Sequence, residues 1–143
     1  MTREELIQSA ERLQPVGVEA QQEYSRKIPQ MVTTINQRMA ARPDITDLIG
    51  ENHLQLMCDN HANHARFMES VFFEMSAQVL VDTVLWVFRA YRARGFSSLY
   101  WAAQLNTWIE LLRESLSEEG FKEIYPYYVW MQTHIPAFTE QSR

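Results

Sequence analysis

The chain has 143 residues, of which 46% are apolar and 22% are charged, a composition typical of one globular domain large enough to bury a core. Its net charge of −5 disfavours binding to nucleic acid, whose phosphates it would repel. A single cysteine, Cys58, excludes an internal disulfide. The first residues have no apolar signal core and no stretch is long enough to span a bilayer. We therefore expect a cytoplasmic protein without a membrane segment.

Helix signals run along the whole sequence. Only four glycines and five prolines interrupt it, and no segment alternates apolar and polar residues as a strand would. Thr2 and Glu5 form a capping box that opens a first helix to about Leu13. A second helical stretch runs to about Ala41, and Pro29 is expected to kink it or to restart it. The sequence therefore predicts an all-α fold.

The stretch from Ile45 to Met75 is predicted as one long helix that contains three Asn-His pairs. On a helical wheel, one face of this helix is polar and the opposite arc is apolar. Most of the paired residues fall inside the apolar arc, namely Asn52, His53, Asn60, Asn63 and His64, with His61 nearer its edge. Because a buried amide or imidazole without a partner costs about 1–3 kcal/mol, we expect each of them to be bonded.

Three interpretations of these pairs stay open. They form a satisfied polar seam that fixes the register of the helices, the wall of a ligand pocket, or a metal site. The metal interpretation is the weakest, because His61 and His64 supply only two ligands and the paired E-x-x-H motif of ferritin-like sites does not occur. We therefore predict no metal site.

A fourth helix is predicted over Ser76–Arg94, ending at Gly95. It is apolar on nearly all sides around Val79–Phe88, which indicates a central helix covered by its neighbours. Arg89 and Arg92 lie one turn apart near its end. They form either a solvated helix end, where cations are favoured, or a clamp for a carboxylate or phosphate of a ligand or partner.

A fifth helix is predicted from Ser97 or Ser98 to about Leu116, and Ser117 caps a last aromatic segment that Pro126 and Pro136 bend or divide. The fifth helix carries an amphipathic stripe of Trp101, Leu105, Trp108 and Leu112. These aromatic side chains are predicted to be core, or in part a dimer face. The result is about six helices in a single domain, residues 1–143. No phosphate-binding loop or nucleophile motif is present, so we expect a non-enzymatic protein.

The segment LWVFRAYRARGFSSLYWAAQLNTWIELL (Leu85–Leu112) contains the pattern W-x-x-R-x-Y-R-x-x-G-F-x-x-x-Y-W. With the predicted order of the helices, it resembles the globin superfamily. More narrowly, it resembles bacterial non-haem globin-like sensor domains, which include stressosome-type sensor domains and bilin-biosynthesis-associated globins related to phycobiliproteins. The resemblance covers about Ile45–Phe138 and implies a globin-like bundle.

Two departures from these families concern tetrapyrrole chemistry. The helix that should carry a proximal haem ligand, Ser76–Arg94, contains no histidine. Cys58 is followed by Asp59 and Asn60 rather than by the C-x-R-D context of a bilin-attaching cysteine. The resemblance therefore implies a globin-like sensor or regulatory module without haem. A haem-binding or bilin-binding protein is the alternative, and a metal-binding helical protein is the second alternative.

The predicted module acts by binding a ligand or a partner. The candidate binding residues are His53, Asn60, His61, His64, Arg89 and Arg92. We expect a homodimer, with a protein of a signalling or bilin pathway as a possible partner. Buried histidines would also make the protein responsive to pH, because an imidazole titrates near neutrality.

Overall fold

The computed structural model describes residues 1–143 and contains eight helices and no strand, which confirms the all-α prediction. The count exceeds the predicted six because two predicted helices are each divided. None of the helices combines the length and apolarity that a bilayer crossing requires. In chain order they are α1 (Arg3–Ala10), α2 (Val18–Ala40), α3 (Ile45–Ile49), α4 (Leu54–Phe73), α5 (Ala77–Ala93), α6 (Leu99–Ser115), α7 (Glu118–Thr133) and α8 (Ile135–Gln141).

Local capping signals set several of these helix ends. The Thr2 hydroxyl accepts from the Glu5 amide and the Glu5 carboxylate accepts from the Thr2 amide, so the capping box is formed. Ser76 and Ser117 each accept a hydrogen bond from the amide three residues later, at the starts of α5 and α7. Gly95 follows α5 with φ of +95°, the left-handed conformation expected of a residue after a helix.

The prediction of one continuous helix over Ile45–Met75 is wrong. The chain leaves the helix at Gly50, which has φ of +85°, and Asn52 also has a positive φ of 63°. Across the break, the His53 Nδ1 lies 2.6 Å from the Ile49 carbonyl oxygen. As a consequence Asn52 is exposed rather than buried, and His53 precedes α4 instead of lying within it.

The prolines act differently from one another. Helix α2 continues through Pro29, and α7 continues through Pro126. Pro136 lies in the first turn of α8, where its missing N–H has no partner to lose. The predicted division of the last aromatic segment therefore occurs at Pro136 and not at Pro126.

Helix packing separates α5 from the middle of the molecule. Helix α2 packs against α4, α6 and α7, whereas α5 packs mainly against α1 and α8. The Arg3 guanidinium on α1 joins α5 through the Asp82 carboxylate at 2.7 Å. Val79 and Trp86 of α5 are 54% and 63% exposed, so this helix is not the fully covered central helix that its apolar sequence predicted. A cavity lies beside this helix, and Trp86 is among the residues that line it.

Candidate binding cavity between α4, α5 and α6

A cavity of about 250 Å³ lies between α4, α5 and α6. Its walls are largely apolar and aromatic, and Met131 of α7 and Phe138 of α8 complete them. None of the 16 lining residues is an acid, a lysine or an arginine. The lining residues are Asn60, Asn63, His64, Phe67, Met68, Thr83, Val84, Trp86, Val87, Phe88, Tyr91, Trp101, Gln104, Leu105, Met131 and Phe138.

A pair of side-chain amides forms the polar end of the cavity. Asn60 Oδ1 accepts hydrogen bonds from the Tyr100 hydroxyl at 2.8 Å and from Gln104 Nε2 at 2.6 Å. The only fully buried side-chain nitrogen or oxygen without a hydrogen-bond partner is on Trp108, so the second polar atoms of Asn60 and Gln104, which make no protein hydrogen bond, keep accessible surface. Both residues line the cavity, and the Asn60 amide also lies beside the Tyr91 hydroxyl.

Tyr91 adds a hydroxyl next to this amide pair. Burial raises the pKa of the Tyr91 hydroxyl, and the neighbouring Asn60 amide partly offsets that rise. The hydroxyl therefore stays protonated at neutral pH. Asn60, Tyr91 and Gln104 together give the cavity one neutral, polar end.

His64 is the only imidazole in the cavity wall. Its Nε2 lies 2.8 Å from the Tyr128 hydroxyl, and its Nδ1 has no protein partner. The ring is tilted against Trp108, with 5.1 Å between the ring centroids. Burial, with a smaller contribution from the charge of His61, lowers the pKa of His64 to about 3, so the imidazole is neutral at physiological pH.

His61 lies behind the cavity wall and is fully buried. Its Nδ1 is 2.7 Å from Asn36 Oδ1, and its Nε2 is 3.3 Å from the Tyr100 hydroxyl. Burial lowers the pKa of His61 to about 3. The wheel placed His61 nearer the edge of the buried arc, but α4 also packs against α2, so the arc that is removed from solvent is wider. The Trp108 indole N–H, beside both imidazoles, has no acceptor.

The cavity lining excludes four of the six candidate residues, namely His53, His61, Arg89 and Arg92. His53 bonds to the backbone across the break before α4, and its ring stacks on Phe96 with 5.7 Å between the centroids. Arg89 and Arg92 donate to backbone carbonyls in α8, at 3.4 Å and 3.2 Å. The two arginines therefore join α5 to α8, and neither of these candidate binding residues lines the cavity.

The candidate set also missed residues that shape the cavity. Gln104 lies on the same face of α6 as Trp101, Leu105 and Trp108, so a polar residue inside an apolar stripe was the signal that could have identified it. Tyr128 gave no such signal, because its hydroxyl meets His64 only after residues 64 positions apart have been brought together.

The arrangement is that of a binding cavity with apolar walls and neutral hydrogen-bonding groups at one end. No group of three or more His, Cys, Asp or Glu side chains lies in a position to hold a metal ion. Asn60 and His64, one turn apart on α4, are the two candidate residues that the cavity brings together. No protein-family profile, curated protein or solved structure matches this chain.

Proposed function

We propose that this protein is a non-enzymatic sensor or regulatory module that binds a small ligand without haem. The observation that supports the proposal is the cavity of about 250 Å³, which has apolar walls and a neutral polar end. Small-molecule sites are typically concave and mostly apolar, with a few polar groups that orient the ligand. The cavity has that composition.

The same proposal includes a mode of signalling. Helix α5 forms one wall of the cavity and also carries the exposed apolar side chains of Val79 and Trp86. A ligand that changes the position of α5 would therefore change a surface that is available to a second protomer or to a protein of a signalling or bilin pathway. We propose that the module is a globin-like bundle that acts in the cytoplasm as a homodimer.

A cavity-filling substitution tests whether the cavity binds ligands. Val84 lines the cavity from α5, and Val84→Trp would occupy the space with a larger side chain. We expect indole, a small apolar probe, to shift the amide NMR signals of residues around the cavity in the unmodified protein and to shift none of them in Val84→Trp. Binding, measured by isothermal titration calorimetry, should weaken at least roughly tenfold, which corresponds to about 1.4 kcal/mol.

Val129→Trp is the matched control for this test. Val129 is on α7, is 37% exposed and does not line the cavity, so the same substitution there should leave indole binding unchanged. Circular dichroism and thermal unfolding should show that both variants are folded. Absence of indole binding to the unmodified protein would contradict the proposal.

The alternative is a tetrapyrrole-binding protein, which is favoured by a neutral imidazole in the cavity wall. Two features weigh against it. The Nε2 atom of His64 is engaged by the Tyr128 hydroxyl, and a volume of about 250 Å³ is small for a ligand of tetrapyrrole size. Addition of haem or biliverdin to the purified protein tests the alternative, because a new Soret band or a shifted bilin spectrum would support it.

A further inference from the structure

The polar end of the cavity offers both a hydrogen-bond donor and an acceptor. Asn60 Oδ1 is already used by Tyr100 and Gln104. The Asn60 amide nitrogen, beside the Tyr91 hydroxyl, and the Gln104 amide oxygen keep accessible surface and belong to residues that line the cavity. Turning both side-chain amides by half a rotation would exchange these roles and leave an oxygen on Asn60 and a nitrogen on Gln104. In either arrangement the pair presents one donor and one acceptor.

The rest of the lining selects against charge. Phe67, Phe88 and Trp101 supply flat aromatic surface, and no cationic or anionic side chain lines the cavity. The two nearby arginines on α5, Arg89 and Arg92, are bonded to carbonyls of α8 and do not line it. An ion entering this cavity would lose its hydration without gaining a counter-ion, which is strongly unfavourable.

We infer that the ligand class is a neutral, planar and largely apolar molecule that carries one carboxamide-like group, such as a carboxamide, a lactam or a ureide. The carbonyl of that group accepts from one of the two side-chain amides, and its N–H donates to the other. His64 and Tyr91 also line the cavity and are neutral, so they are compatible with an uncharged ligand group. The inference rests on the proposed function and specifies which ligands the cavity takes.

Three probes of nearly identical shape test the ligand class. 2-Naphthamide carries the donor and the acceptor, 2-acetonaphthone carries only the acceptor, and 2-naphthoate carries a negative charge and no donor. By isothermal titration calorimetry at neutral pH, we expect the amide to bind about tenfold more tightly than the ketone, because one buried hydrogen-bonding group of the protein is left unpaired by the ketone. We expect the carboxylate to bind about a hundredfold more weakly than the amide.

A near-isosteric substitution locates the preference on the amide pair. Gln104→Met removes both polar atoms of this side chain, including the donor to Asn60 Oδ1, and keeps most of the side-chain volume, and it should weaken binding of 2-naphthamide about tenfold. Gln132→Met is the control, because Gln132 also donates to an asparagine, Asn106, but lies outside the cavity. That variant should bind the amide as the unmodified protein does.

The outcomes separate this inference from the proposed function. If the amide is not the tightest of the three probes, or if Gln104→Met leaves its affinity unchanged, the ligand class is wrong while an indole-binding cavity still supports a ligand-binding module. If neither the three probes nor indole binds, both proposals are overturned. A tight amide that Gln104→Met weakens and Gln132→Met does not supports both.

Discussion

Among individual residues, His61 and His64 carry the clearest physical signature. Both are imidazoles on α4 whose pKa is lowered to about 3 by burial, and both are bonded to neutral partners. The free energy of unfolding of the protein therefore depends on pH in a defined direction. In the unfolded chain each takes up a proton below its ordinary pKa of 6.5, while in the folded protein each stays neutral until about pH 3.

This difference predicts that stability falls as the solution is acidified. Between about pH 6.5 and pH 3 the unfolded state binds more protons than the folded state, so the free energy of unfolding rises with pH in that window and is constant above it. When the pH is lowered from 7.5 to 5.5, each histidine should lower the free energy of unfolding by about 1.4 kcal/mol, as measured by urea denaturation. This range avoids the carboxylates, whose titration lies at lower pH.

NMR provides the control for the pH prediction. The imidazole signals of His61 and His64 should not move between pH 7.5 and pH 5.5 in the folded protein, and His64→Gln should remove about half of the pH dependence of stability. Titration of either signal near pH 6.5 would contradict the prediction and would also remove the idea that buried histidines make the protein pH-responsive.

The sequence predicted part of the candidate site at the level of single residues. Asn60 and His64 were identified because they are polar residues within an apolar arc of one helix, a signal that depends only on local spacing. Arg89 and Arg92 were candidates for a ligand clamp, but their position relative to the cavity depends on how α8 packs against α5, and no local pattern contains that information. The same limit applies to Tyr128.

At the scale of elements, the break between α3 and α4 determines which Asn-His pair stays outside the cavity. The sequence predicted the caps at Thr2 and Ser117, because each is a short-range hydrogen bond between a side chain and a nearby amide. It did not predict the break, because Gly50 is a single glycine without a proline beside it and the residues on both sides keep a helical spacing. Glycine allows a positive φ but does not require one, so the presence of Gly50 in the sequence does not predict the break.

The conformation of Gly50 leads to a prediction about stability. A side chain at φ of +85° is strained, and an added Cβ would lie 3.3 Å from His53 Nδ1. Gly50→Ala should therefore lower the free energy of unfolding by about 1–3 kcal/mol in urea denaturation. Glu51→Ala, in the same turn and exposed, should change it by less than about 0.5 kcal/mol. Equal effects of the two substitutions would show that the Gly50 backbone is not what the turn requires.

At the scale of the whole molecule, the helices divide into two groups around the cavity. One group is built on α2, with α4, α6 and α7 packed against it, and the other is built on α5, with α1 and α8. Phe88 of α5 bridges the groups by stacking on Trp101 of α6, with 4.5 Å between the ring centroids. The all-α class followed from composition and periodicity, but this grouping could not be predicted, because every helix shows an apolar face and the pattern does not say which faces meet.

The exposed face of α5 supports a prediction about assembly. Val79 and Trp86 lie two turns apart on that face and are 54% and 63% exposed, and large exposed apolar groups are common at interfaces. If this face joins two protomers, sedimentation equilibrium should give twice the monomer mass of 16.9 kDa, and Val79→Glu should shift the protein toward the monomer. Val18→Glu, at a valine on α2 that is 65% exposed, should not. A monomer at all concentrations would contradict the homodimer.

Two of the four tryptophans, Trp86 and Trp101, border the cavity, while Trp108 and Trp130 are buried elsewhere. Trp86 stands at the open side, where its indole meets water, and Trp101 stands deeper. A ligand bound in the cavity would remove water from the Trp86 indole and contact the Trp101 indole. The intrinsic tryptophan fluorescence of the protein should therefore shift in wavelength when a ligand binds in the cavity.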